Sequence, residues 1–156
     1  VFLGQAVRDA GTAMTQSFAT VPREKLIELP VFEDVQMGIS TGLALAGFVP
    51  VTIYPRWNFL LLATGQLVLH LDKLSIYSKG AYKPKVIIRT AVASRTPLDP
   101  QAQHYGNFSD AFREMLRTVE LIEIESAEMI FPAYSKAYER EDRRSTLIVE
   151  RTDRYA

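Results

Sequence analysis

The chain has no cysteine and, among 156 residues, only two histidines, His70 and His104. Without cysteine there are no disulfides and no thiolate chemistry, which fits a cytoplasmic setting. With no H-E-x-x-H pattern either, little is left from which this chain alone could build a zinc site. No G-x-G-x-x-G or G-x-x-x-x-G-K-[ST] occurs, so dinucleotide and P-loop chemistry have no support. An excess of charge is also missing. Eighteen basic and eighteen acidic residues cancel with no concentrated basic run, which argues against nucleic acid or an anionic membrane as partner and for a small ligand or another protein. The longest apolar run, residues 59–71, is interrupted by Thr64, Gly65, Gln66 and His70. It falls short of the ~20 residues that a membrane span needs and reads as a buried helix. The opening Val1-Phe2-Leu3 has no initiator Met and no signal-peptide pattern, and reads as the start of a domain cut from something longer.

What is present is ample apolar material. Hydrophobic residues make up 47% of the chain, enough for one domain over residues 1–156 that buries roughly 70% of its unfolded surface. Short β-type runs at 1–3, 26–29, 49–54, 85–92, 119–124 and 146–151 alternate with helical patterns at 9–19, 34–46, 57–78, 109–117 and 127–143. That alternation predicts an α/β fold: a three-layer, doubly wound domain with a mostly parallel sheet of about six strands. Val86-Ile87-Ile88 reads as a central strand buried on both faces. The one long irregular stretch, 93–108, carries Pro97, Pro100, His104 and Gly106, and loops of that length are usually functional or disordered.

Four local patterns bear on chemistry. Glu33 ends an apolar stretch, Leu29-Pro30-Val31-Phe32, and opens a small-residue helix. A carboxylate at a strand-to-helix junction lies at the carboxyl edge of the sheet, where open α/β folds bind ligands, although first-turn carboxylates are common in any helix. Gly38-Ile39-Ser40-Thr41-Gly42 matches the nucleophile elbow G-x-S-x-G, but it sits inside a helical pattern (Val35, Ile39, Leu43) without a strand before it. Its small residues instead give the helix a narrow face that lets another backbone or a ligand come close. Pro55-Arg56-Trp57-Asn58-Phe59 follows the third strand; its aromatics can stack on a flat heterocycle or plug the core. His104 lies on a loop at the same edge, where it can be merely solvated or can supply acid/base chemistry.

Taken in order, Phe2-Leu3-Gly4-Gln5, Leu29-Pro30-Val31-Phe32-Glu33, Gly42 to Val51, Trp57-Asn58-Phe59, Lys85 to Thr90 and Gln103-His104 give the chain a resemblance. It resembles the pyrimidine-binding domain of thiamine diphosphate enzymes, more narrowly that of the beta subunit of the first component of 2-oxoacid dehydrogenases (pyruvate dehydrogenase type), with transketolase as a cousin. The resemblance implies the same three-layer fold. It further implies that Glu33 hydrogen-bonds a ring nitrogen of the cofactor's aminopyrimidine and promotes the imino tautomer that deprotonates the thiazolium carbon. The resulting ylide would attack a 2-oxoacid or ketose carbonyl, with the cofactor as electron sink. By the same resemblance Phe59, with Trp57 and Tyr54 beside it, lines the pyrimidine pocket, and His104 relays protons or contacts substrate near the reactive end. The small helix face of residues 38–46 would pack near a subunit interface.

The departures limit this expectation. Gln5 stands where related subunits carry an acidic residue, and Ala91 to Pro100 replaces a glycine-rich loop. The family's diphosphate-binding Gly-Asp-Gly motif, whose magnesium ion holds the diphosphate, does not occur. The expected partner is therefore a diphosphate-binding domain or alpha-type subunit that brings the magnesium, in a homodimer or heterotetramer, and the chain alone is expected to be inactive. A non-catalytic assembly or regulatory module with the same fold is the alternative, against which the retention of Glu33, Phe59 and His104 argues.

Overall fold

The computed structural model describes residues 1–9, 13–92, 99, 101–151 and 153. Six strands, β1 (Phe2–Gly4), β2 (Leu26–Glu28), β3 (Val51–Tyr54), β4 (Ile87–Val92), β5 (Glu120–Ile124) and β6 (Thr146–Arg151), form one sheet. Their order is β2-β1-β3-β4-β6-β5, and each pairing is parallel. The helices are α1 (Ala13–Gln16), α2 (Glu33–Leu45), α3 (Trp57–Leu60), α4 (Leu74–Tyr77), α5 (Ser109–Met115) and α6 (Ile130–Glu139).

Alternation along the strands divides the core into two layers. Tyr54, Ile88, Leu147 and Val149 pack with Met37 of α2, Trp57 of α3 and Phe112 of α5. On the other face Ile53 and Ala91 meet Met14 and Phe18, while Ile87, Ile124 and Ile148 meet Ala133 and Ala137 of α6. Ile87 and Ile88 are both buried, as expected of a central parallel strand with helices on both sides. Each such side chain contributes about 1.5–3 kcal/mol on leaving water, so this two-sided core holds the three-layer, doubly wound α/β fold that the sequence predicts.

The largest difference from expectation lies in residues 57–78. One continuous helix is replaced by α3, a 3-10 turn (Leu61–Ala63), a π segment (Gln66–Leu71) and α4, with a bend of 60° between the two halves. The changes of period aim Leu60, Ala63, Leu67 and Leu71 at the core while leaving Leu62 and Leu69 exposed. This run is therefore buried on one face only, not throughout. No single helix among the described residues is long and apolar enough to cross a membrane. The helix expected at 127–143 is a 3-10 turn followed by α6, which stops at Glu139. Of the irregular stretch 93–108, residues 93–98 and 100 lie outside the described residues, as do 10–12 of the first predicted helix; Gln101–His104 forms a short 3-10 turn.

Candidate active site

The chain runs from β1 outward to the edge strand β2 and then returns to the other side of β1 to place β3. Successive connections therefore diverge between β1 and β3, which opens a crevice beyond the carboxyl ends of those strands; this is where doubly wound sheets bind ligands. A cleft with an empty volume of about 210 Å³ lies there, lined by residues following β1 (Gln5), β2 (Pro30 to Glu33) and β3 (Tyr54, Pro55).

Glu33 is the first residue of α2, half-buried at the cleft's edge. Its side chain makes no hydrogen bond or ion pair to another described residue, and at a helix start its carboxylate is favoured by the macrodipole. Tyr54, at the end of β3, is almost fully buried, and its hydroxyl donates to the Glu33 carbonyl at 3.0 Å. Burial pushes the phenol well above its usual range, and the nearby Glu33 and Asp34 add to this. Tyr54 thus remains a neutral donor that fixes the first turn of α2 rather than a free group facing a ligand. Phe59 is half-buried and forms another wall.

Gln36 lies one helical turn after Glu33, on the same side of α2. It is buried, and its Nε2 donates to Thr52 Oγ1 at 2.8 Å and to the Ile53 carbonyl at 2.9 Å. Gly4 makes this close approach possible. Its φ is +151°, and a Cβ there would stand 2.6 Å from the Ile53 carbonyl oxygen and 3.2 Å from Gln36 Nε2. Sequence reasoning missed Gln36 as a wall of the site; the signal was its polar side chain at i+3 from Glu33. Gln5, noted only as a departure, proves to be a wall as well.

His104 reaches this edge through Phe59: the two rings are 5.0 Å apart with a 39° tilt. Its buried Nδ1 has no hydrogen-bond partner among the described residues, leaving a position that a ligand or a second protein can engage. Trp57 is not brought into the cleft. It is fully buried, 4.8 Å from the ring of Phe112 and 6.2 Å from that of Phe108, and plugs the core below. The carboxyl edge carries further unmatched polarity: Trp57 Nε1, Asn58 Oδ1, Thr90 Oγ1 and Arg151 Nε are buried without partners among the described residues. Such atoms are rare in a finished interior.

Ser40 is fully buried, with its hydroxyl donating to the Gln36 carbonyl at 2.7 Å; it is a helix residue and no nucleophile elbow. The helix around it is turned against its apolar pattern. Gln36, Met37, Ser40 and Ala44 face the sheet, while Val31, Phe32, Val35, Ile39, Leu45 and Phe48 are exposed. A Cβ added at Gly38 or Gly42 would meet nothing within 4 Å. This outward surface is larger and more apolar than a solvated helix face requires.

The residues suit one part of the expected cofactor better than the other. An unpaired carboxylate, an aromatic wall and a narrow cleft fit a flat, hydrogen-bonding heterocycle such as the aminopyrimidine. The enclosed part of the cleft holds little more than one water-sized sphere, far below the roughly 300–1,000 Å³ of sites that enclose a whole ligand, so any ring would lie along its open rim. Among the described residues no cluster of three or more His, Asp or Glu side chains could hold a metal ion.

Fold and cleft together define an open, doubly wound α/β domain with a cleft at its topological switch point. No family model and no curated protein matches the chain. Among solved structures it is similar to a "Split gene transketolase, inactive beta4 tetramer", with a TM-score of 0.68 and 21% identity over 97% of this chain and 44% of that one. At that identity the likeness establishes a transketolase-like fold, and this chain spans less than half the length of its neighbour.

Proposed function

We propose that the chain is the pyrimidine-binding half of a thiamine diphosphate-dependent enzyme acting on a 2-oxoacid or ketose, completed by a diphosphate-binding domain or subunit. The observation that carries this is the unpaired Glu33 carboxylate opposite Phe59 in a cleft at the β1/β3 switch point. Bound there, the cofactor would supply a nucleophilic carbon and an electron sink for cleavage next to a carbonyl. Glu33 would hold the proton of a pyrimidine ring nitrogen, Phe59 would stack on the ring, and Tyr54 would keep the Glu33 backbone in place. His104 Nδ1 would hold or pass a proton at the substrate end. Decarboxylation with acyl transfer, as in 2-oxoacid dehydrogenase beta subunits, is the favoured chemistry because Leu29-Pro30 to Glu33 and Gln103-His104 carry that resemblance.

Two observations support a partner. The structural neighbour is a split-gene transketolase in the form of an inactive beta4 tetramer, and the apolar face of α2 and the bent segment stands uncovered here. The test is thiamine diphosphate binding and 2-oxoacid turnover, measured for the chain alone and after adding a diphosphate-domain partner with magnesium. Weak binding alone, tight binding in the mixture, and a Glu33→Gln variant that still binds but no longer turns over are the expected results. Full turnover by Glu33→Gln would remove the assignment, and tight binding by the lone chain would remove the split site.

A further inference from the structure

At the opposite, amino edge of the sheet lies a wider cleft, with an empty volume of about 750 Å³, between the segments entering β4, β5 and β6. Lys83, Arg117, Arg143 and Arg144 line it, and all four are exposed. The single lining carboxylate, Asp142, is already engaged: Arg140 donates to both its oxygens at 2.6 and 2.8 Å, and the Arg144 backbone N–H donates at 3.0 Å. Four basic side chains and one carboxylate, itself already paired, thus line the cleft in a chain whose total charge is zero.

Basic groups at this edge can serve simply to complement helix carboxyl ends. That task is filled by others. Lys85 Nζ donates to the carbonyls of Tyr138 and Arg140 at the end of α6, and Lys73 Nζ donates to the Met115 carbonyl at the end of α5. Arg143 and Arg144 are instead anchored by Nε alone, Arg144 to the Thr118 carbonyl at 2.7 Å and Arg143 to the Lys83 carbonyl at 3.3 Å. Their terminal nitrogens make no hydrogen bond or ion pair to another described residue. Arg143 also holds φ = +58°, a left-handed conformation that a residue with a Cβ adopts only under constraint. The Asp142 turn supplies that constraint, its carboxylate accepting the Arg144 backbone N–H, while the two side chains are held at separate carbonyls on the cleft's rim. Guanidinium forks match phosphoryl oxygens in geometry as well as charge. Leu71 and Pro84 add an apolar wall that bare phosphate would not use.

We propose that this cleft binds a small phosphate ester carrying at least two negative charges, at a site independent of the Glu33 cleft. The test is calorimetric titration of the chain with ADP and with pyrophosphate at low ionic strength. ADP is expected to bind, more weakly as salt screens the exposed charges, and at least about tenfold more tightly than pyrophosphate. Lys83→Ala with Arg117→Ala removes two charges whose side chains make no hydrogen bond or ion pair to another described residue, and should weaken ADP binding at least about tenfold. The control Arg23→Ala with Lys25→Ala, on the turn before β2, removes equal charge and should leave binding unchanged, as should Glu33→Gln. No binding at millimolar ADP, equal binding by the Lys83/Arg117 variant, or equal loss in the control would overturn the site. Pyrophosphate binding as tightly as ADP would overturn the ester.

Discussion

The two edges of the sheet treat buried polarity in opposite ways. At the amino edge, Asp72 is fully buried yet accepts the backbone N–H of Arg117, Thr118 and Val119 at 2.7–3.0 Å, with Lys73 alongside. Ser145 likewise donates to the Pro84 carbonyl and accepts from Val86 N–H. At the carboxyl edge, His104, Asn58, Thr90, Trp57 and Arg151 each bury a polar atom without a partner among the described residues. An unsatisfied buried group costs about 1–3 kcal/mol. Buried polarity at the amino edge is therefore matched within the chain, while among the described residues the carboxyl edge leaves it unmatched and relies on the core to hold these groups in place.

The widest break between the edges comes from Asp72→Ala, which strands three backbone N–H groups, that of Val119 buried and those of Arg117 and Thr118 partly so. It should lower unfolding free energy by about 3 kcal/mol or more, read from the urea midpoint. A loss below about 1 kcal/mol would mean that the Asp72 bonds do not hold the amino edge together.

Phe59→Ala should have the opposite profile. The ring is half-buried, so stability falls by only about 1 kcal/mol. Loss of an aromatic–heterocycle stack, about 1–3 kcal/mol, should weaken thiamine diphosphate binding by the reconstituted assembly roughly ten- to a hundredfold. Equal binding by this variant would show that Phe59 is core rather than site.

Acid separates the amino edge by another route. The Arg140 guanidinium holds Asp142 down at about 2. At Asp72 burial alone would raise the pKa, but Lys73 and the backbone donors outweigh it, leaving the carboxyl below its ordinary value. Groups depressed in the folded state add stability that is fully present above the unfolded value, near 3.9. That stability is lost as pH falls through the folded values. Stability should therefore decline between about pH 4 and pH 2, and Asp142→Asn should flatten part of the decline. Because half of the Asp142 side chain is exposed, its share is under about 1 kcal/mol.

How far the sequence revealed this architecture follows from where local pattern and tertiary demand agree. Residues 146–151 form β6 over the predicted span, since a β-branched run entering a two-sided core leaves one solution. Residues 57–78 read as one helix because a 3-10 turn and a π segment leave no mark in composition; only the spacing of Leu60, Ala63, Leu67 and Leu71 carries it. Glu33 and Phe59 do line one cleft, as their positions after strands implied. Trp57 does not, because its large apolar body is better buried against Phe112. In α2 the periodicity identified the helix but not its facing: Val35 and Ile39 of the apolar stripe look outward, while Gln36 and Ser40 face the sheet.

That outward facing yields the smallest and most diagnostic effect. Gly38 lies inside α2 with open space where its Cβ would be, so Gly38→Ala should raise the stability of the isolated chain by about 0.5–1 kcal/mol through helix propensity alone. If the glycines only tolerate solvent, the gain should persist in every state of the protein. If a partner's backbone closes on this face, as the outward stripe implies, the same methyl group must be displaced on association. Complex formation with the diphosphate-domain partner should then weaken although the free chain is more stable. Opposite signs in thermal melts of the free chain and in affinity for the partner would place the interface on α2. A gain in both would move it elsewhere.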